Sequence, residues 1–272
     1  MLSRIFPFGV TASHLATKLA DMAILFIDHG VVGGMGSLGL AMREYAQRIV
    51  TLRGNELASA VKVSLEDIHG VVVGDAPSSV RLTDDSHQSS MMIVAEAHNL
   101  KIPIIGLGFG ALVIAKSLGS AIDELNPPEA GWTNMTTSPM SRGDALLTGV
   151  PWTLAVPFWS CQSIGSAGPS MKSPGMRSLA STPRQKFAMF ACGVSTYGIT
   201  AHIEWTAGAA DAALQSAGSE QSTHWREGAA LNSATCQRIA KKIFESVTLS
   251  LMPVGLVNVG VGTICASDSR AK

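Results

Sequence analysis

Ile102-Pro-Ile-Ile-Gly-Leu-Gly-Phe-Gly-Ala-Leu-Val-Ile-Ala-Lys-Ser-Leu-Gly119 is the stretch around which the rest of this sequence falls into place. Pro103 to Ile105 is a short β-branched apolar run, and Gly106, Gly108 and Gly110 alternate through the residues after it. From Ala111 the apolar positions Leu112, Ile114, Ala115 and Leu118 recur at helical spacing, and Gly119 stands where a C-terminal cap belongs. A buried strand, a very tight turn and a helix are therefore expected. This is the shape of a nucleophile elbow, in which small neighbours let the backbone close up and lift one side chain above the end of a sheet. The residue at the tip is Gly108, which has no side chain to lift.

The flanking sequence supplies the sheet. Ala23 to Ile27 reads as a buried first strand, followed by Asp28-His29-Gly30 and a loop containing Gly33, Gly34 and Gly36, with Ser37 as the candidate cap of a helix from Leu38 to about Arg48. That loop lacks the spacing of either common phosphate-binding fingerprint and reads as a tight turn. Further strands are expected at Ile49 to Leu52 and His69 to Gly74, and a helix from Ser89 to His98 leads to the elbow strand. Alternation of strands with helices implies an α/β fold with a mainly parallel central sheet flanked by helices, of flavodoxin-like type, and places functional residues at the carboxyl ends of the strands.

Beyond the elbow, strand-like pieces at Thr133 to Thr137, Leu154 to Trp159, Phe187 to Ala191 and Ser195 to His202 are spaced for an antiparallel extension of that sheet. Ser160 to Ser178, rich in Ser, Gly and Pro, reads as an exposed loop, and Ser233 to Thr248 as an amphipathic helix. The expected organisation is an N-terminal extension over residues 1–21, one domain over 22–249 and an apolar arm over 250–272.

Composition narrows the functional classes. In 272 residues, 46% hydrophobic content suffices for one large core, and 20 basic against 20 acidic residues with no run of like charge argue against a nucleic-acid or anionic-membrane surface. Cys161, Cys192, Cys236 and Cys265 lie far apart, in neither a zinc nor a disulfide pattern, which suits a reducing cytoplasm. No apolar run reaches the roughly 18 residues of a membrane span, and no bound metal or cofactor is expected.

Three places carry chemistry: the turn at Gly74-Asp75, the elbow at Gly108, and Tyr197-Gly-Ile-Thr-Ala-His-Ile-Glu204. If the strand runs through His202, the spacing of His202 and Glu204 puts both on one side, so that a carboxylate orients an imidazole as in a nucleophile, base and orienter triad. Together with Glu129-Ala-Gly-Trp132, these motifs resemble class I glutamine amidotransferases, and in particular proteins similar to the glutaminase domain of GMP synthase, over Ala23 to Thr248 in consistent order.

The resemblance implies a G-x-C-x-G elbow at Gly106-Leu-Gly-Phe-Gly110, with Gly108 where the nucleophilic cysteine stands and Phe109 and Gly110 beside it. It implies a terminal catalytic pair in His202 and Glu204, and pocket residues Glu129, Gly131 and Trp132. It places Phe158-Trp159-Ser160 on a Q-W-H motif and Gly74-Asp75-Ala76 on the G-G-P oxyanion loop. The family reaction needs a thiolate, a histidine and oxyanion-stabilising N–H groups. With the thiol gone and Asp75 in the oxyanion loop, the expectation is a protein without glutaminase activity that uses the pocket for a small ligand or for regulation, alone, as a homo-oligomer or with a partner subunit. Two alternatives stay open: a hydrolase or lyase using His202, Glu204 and Asp75 with water or a metal, and a structural scaffold with a filled pocket.

Overall fold

The computed structural model describes residues 22–53, 64–77, 80–83, 87–165, 175–206, 209–210 and 219–253. The expected N-terminal extension over residues 1–21 and residues 254–272 of the expected apolar arm fall outside these residues. The elements run β1 (Ala23–Asp28), α1 (Gly36–Glu44), β2 (Ile49–Arg53), β3 (Ile68–Val73), α2 (Gln88–Asn99), β4 (Ile104–Leu107), α3 (Phe109–Ser117) and β5 (Ile122–Thr137). They continue with β6 (Thr153–Ile164), β7 (Arg177–Ser181), β8 (Met189–Cys192), β9 (Thr196–Ile199) and α4 (Ser219–Ser246), which passes into a π-helical turn at Val247–Leu251.

The strands form one nine-stranded sheet in the order β2-β1-β3-β4-β9-β8-β7-β5-β6. The pairs from β2 to β9 are parallel, and those from β9 through β8, β7 and β5 to β6 are antiparallel. The expected mainly parallel sheet is thus a mixed one, its parallel part confined to one half. Both faces of that half are covered. Ile24 and Phe26 of β1 join Leu38 and Met42 of α1 and Ile243 and Phe244 of α4 in one core, while Leu25 and Ile27 join Val94 of α2 and Val113 and Ile114 of α3 in the other. Burial on two sides explains why these strands read as unbroken apolar runs rather than alternating ones.

β5 and β6 are among the elements that depart from the sequence reading, as is α4, which begins at Ser219 and not at Ser233. β5 begins eleven residues before Thr133, passing Pro127 and Pro128 through a register irregularity between Glu124 and Glu129 where no ladder bond is required of them. β6 runs on to Ile164, so the first part of the expected exposed loop is strand, and Gln162 and Ser163 are buried. The Gln162 side chain is tolerated there because it is bonded: its Oε1 accepts the Leu82 N–H at 2.8 Å, and its Nε2 donates to the Leu82 carbonyl and to Glu124.

At the elbow, Gly108 has φ 52° and ψ −117°, a conformation that side-chain-bearing residues rarely adopt. Two residues on, a Cβ at Gly110 would lie 2.1 Å from the Val73 carbonyl oxygen, so α3 can press against β3 only through a bare backbone. Gly119 closes α3 with φ 91°, as its position in the sequence suggested. We predict that Gly110→Ala destabilises the domain by about 1–3 kcal/mol, lowering the midpoint of thermal unfolding followed by circular dichroism by about 2–4 °C per kcal/mol.

Candidate functional site

The carboxyl ends of three adjacent strands meet at one point. The segment after β3 delivers Asp75, the turn after β4 delivers Gly108 and Phe109, and the turn after β9 delivers His202 and Glu204. The strand itself ends at Ile199, so His202 and Glu204 come together in a turn and not by the pleat of a strand as the sequence suggested. All three ionisable side chains are buried, at 4%, 3% and 1% exposure for Asp75, His202 and Glu204.

Asp75 is the centre of this arrangement. Its Oδ1 accepts the Phe109 N–H at 2.8 Å, and its Oδ2 lies 3.1 Å from His202 Nδ1. Glu204 Oε1 lies 3.4 Å from the same nitrogen. The other ring nitrogen, Nε2, is 3.1 Å from the Trp159 carbonyl oxygen. The Asp75 carboxylate and the Trp159 carbonyl are acceptors, one on each ring nitrogen, and a neutral imidazole has one N–H to give; the imidazolium satisfies both. Burial by itself would push His202 down, but the charge and hydrogen bond of Asp75, with those of Glu204, outweigh it and raise the group from 6.5 to about 10. Burial also drives Glu204 above the ordinary carboxylate range, against the pull of His202, and its Oε2 has no hydrogen-bond partner among the described residues.

Trp205, which the sequence did not single out, stacks on the His202 ring with centroids 4.1 Å apart and planes inclined by 16°. A π-face over a buried cation favours the charged form. No spacing rule flagged Trp205, because its role depends on the turn that folds it back. The turn is also tied to α1: the Ser37 N–H and hydroxyl both donate to the Glu204 carbonyl, so Ser37 anchors the site instead of capping its helix.

The elbow cavity, bordered by Asp75, Gly108, Phe109, Trp159, Ser160 and His202 among others, has a volume of about 30 Å³, roughly the share of one water in the liquid. Cys161 borders it too, whereas Cys192 and Cys236 are buried thiols whose ionisation burial disfavours. Gly74 places its carbonyl against His29 Nδ1 at 3.0 Å. Glu129 is not among the residues that border this cavity: its carboxylate is held by Thr182 and Gln185, and Gln185 passes the network to Thr200 at the cavity wall. Gly131 turns with φ 105°, and Trp132 packs on Gly228 of α4 and borders a second cavity. The amino-acid motif that united Glu129 and Trp132 is therefore divided between two places. Asp75, His202 and Glu204 are a cluster whose ligand-type atoms all lie within 4.8 Å of one another.

Among solved structures, a glutamine amidotransferase from Methylobacillus flagellatus superposes with a TM-score of 0.68 at 16% identity, covering 83% of this chain and 93% of that one. The chain has the glutamine amidotransferase fold. A glutamine amidotransferase from Thermotoga maritima gives 0.65 at 16% identity over 84% and 96%. A Thermoplasma acidophilum protein assigned as a GMP synthase subunit gives 0.53 at 16% over 83% and 95%. No protein-family model matches the sequence, and no curated protein matches it either. Among the described residues no helix is long and apolar enough to cross a membrane.

On this fold the buried cluster has a thermodynamic signature. A group whose pKa is raised by folding lends stability that is fully present below its unfolded value and is lost as pH climbs through the folded one. For His202 that window runs from 6.5 to about 10, and the raised Glu204 acts in the same direction from 4.5 upward. We expect the unfolding midpoint to fall as pH rises from 6.5 towards 10, the fall to be shallower in Asp75→Asn, and His202 ring-carbon chemical shifts to report imidazolium at pH 8. A His202 ring that titrates near 6.5 contradicts this.

Proposed function

We propose that this chain is a glutamine amidotransferase-like protein that does not hydrolyse glutamine and serves as a binding or regulatory module, with its former catalytic corner closed by the buried cluster of Asp75, His202 and Glu204. One observation carries the reading. A Cβ built on Gly108, where the resemblance puts the nucleophilic cysteine, would lie 2.3 Å from Asp75 Oδ1 and 2.9 Å from His202 Cε1. The carboxylate stands in the space a nucleophile's side chain would use.

The rest of the reaction is blocked by the same group. The Phe109 N–H, a donor suited to a developing oxyanion, is already spent on Asp75, and loss of one such donor typically costs about 10²–10³ in rate. A negative charge there repels the tetrahedral intermediate as well. His202, with both nitrogens engaged by acceptors, is an acid held by its partners and not a free base. The small volume left at the elbow, about 30 Å³, supports a corner occupied by Asp75 over a glutamine pocket retained there.

A second reading, metal-assisted hydrolysis, is favoured by the proximity of the three ligand-type atoms. It requires a cation to take the place of the His202 proton. Stoichiometric metal in untagged protein, lost in Asp75→Ala, would replace the first reading with this one.

The first reading is tested by ammonia release and by restoration. Wild-type protein should release no ammonia from glutamine above the level of His202→Ala. In a Cys161→Ser background, Gly108→Cys alone should react slowly with a diazoketone analogue of glutamine, and Gly108→Cys with Asp75→Gly at least tenfold faster. Glutamine turnover abolished by His202→Ala, or equal labelling of the single and double variants, overturns it.

A further inference from the structure

His202 also borders a larger cavity, of about 220 Å³, lined by Trp132, Trp205, Trp225, Arg226, Ala229 and Ser233 among others. The geometry points to this cavity as a binding site for a planar aromatic carboxylate of one or two fused rings, recognised by three indoles and by Arg226. Apolar cavities of about 150 Å³ already hold a benzene-sized molecule, so the volume suits a somewhat larger ring system.

The walls specify planarity. Trp225 sits between the other two indoles, with centroids 6.0 Å from Trp132 at 49° and 5.6 Å from Trp205 at 43°. Three adjoining indoles offer face and edge contacts to a flat ligand. The indole N–H groups of Trp132 and Trp205 are buried and have no hydrogen-bond partner among the described residues. Both nitrogens are closed to solvent, so the surface these indoles offer the cavity is that of their rings. Charge specifies the sign. Among the described residues that line the cavity there is no aspartate or glutamate, whereas Arg226 lies on the exposed side of α4 and can meet a carboxylate at the mouth.

The site does not rest on the loss of glutaminase activity, since Gly108 and Asp75 border the elbow cavity and not this one. It is therefore tested separately, by calorimetry and saturation-transfer NMR with quinoline-4-carboxylate and its uncharged counterpart quinoline-4-carboxamide. We expect saturable one-to-one binding of the acid, at least about fivefold tighter than the amide, as one partly exposed charge pair allows. Arg226→Gln should erase that preference. Ala229→Leu and Ser233→Leu, which fill the cavity from α4, should each weaken binding at least tenfold while cooperative thermal unfolding is retained. Excess glutamine should not displace the probe. The inference fails if wild type shows no saturable binding, if acid and amide bind alike, if both filled variants bind undiminished, or if glutamine competes.

Discussion

The contact on which this site depends is the carboxylate of Asp75, which accepts the Phe109 N–H with one oxygen and faces the imidazolium of His202 with the other. Buried charge is costly unless it is paired and hydrogen-bonded. Here the pairing joins the ends of β3, β4 and β9, so the cluster is also the point at which three neighbouring strands are fastened together. Removing a single partner strands the others: without Asp75 the imidazolium Nδ1 faces only the Glu204 carboxyl, whose ionisation burial disfavours, and without His202 two buried acidic side chains are left without their shared partner.

Glycine at position 108 makes that arrangement possible twice over. Its backbone adopts an angle that a side chain would resist, and its missing Cβ leaves the space that Asp75 fills. The elbow geometry persists, and the donors of the turn are satisfied from within the protein. Asp75 fills the corner beside Gly108, and Gln162 of β6 holds the Leu82 segment close by.

The sheet divides along the same line. β9 is parallel to β4 on one side and antiparallel to β8 on the other, and the turn after it carries His202 and Glu204 to the boundary between the two halves. Trp205 continues that turn, and the His202 ring on which it stacks borders both cavities: one of roughly the volume of a water, the other several times larger and walled by tryptophan. The polar cluster and the tryptophan-lined volume thus share His202.

Local signals in the chain were sufficient for the parts whose cause is local. The elbow around Gly108, the first strands, the helices between them, and the gathering of Asp75, Gly108, His202 and Glu204 at strand ends could be read from apolar periodicity, from the spacing of glycines and from motif order. The tertiary structure decided what depends on partners remote in sequence. Residues 160–164 form a strand because they pair with Ile122 to Glu129 of β5, and the buried Gln162 is satisfied there by Leu82, eighty positions away. Glu129 joins Thr182 and Gln185 instead of the elbow. Trp205 stacks on His202 only because a turn brings it back. The direction of the Asp75 side chain, on which the chemistry of the site hinges, is set by one backbone N–H and one imidazole supplied from two other strands, and no pattern within residues 74–76 encodes it.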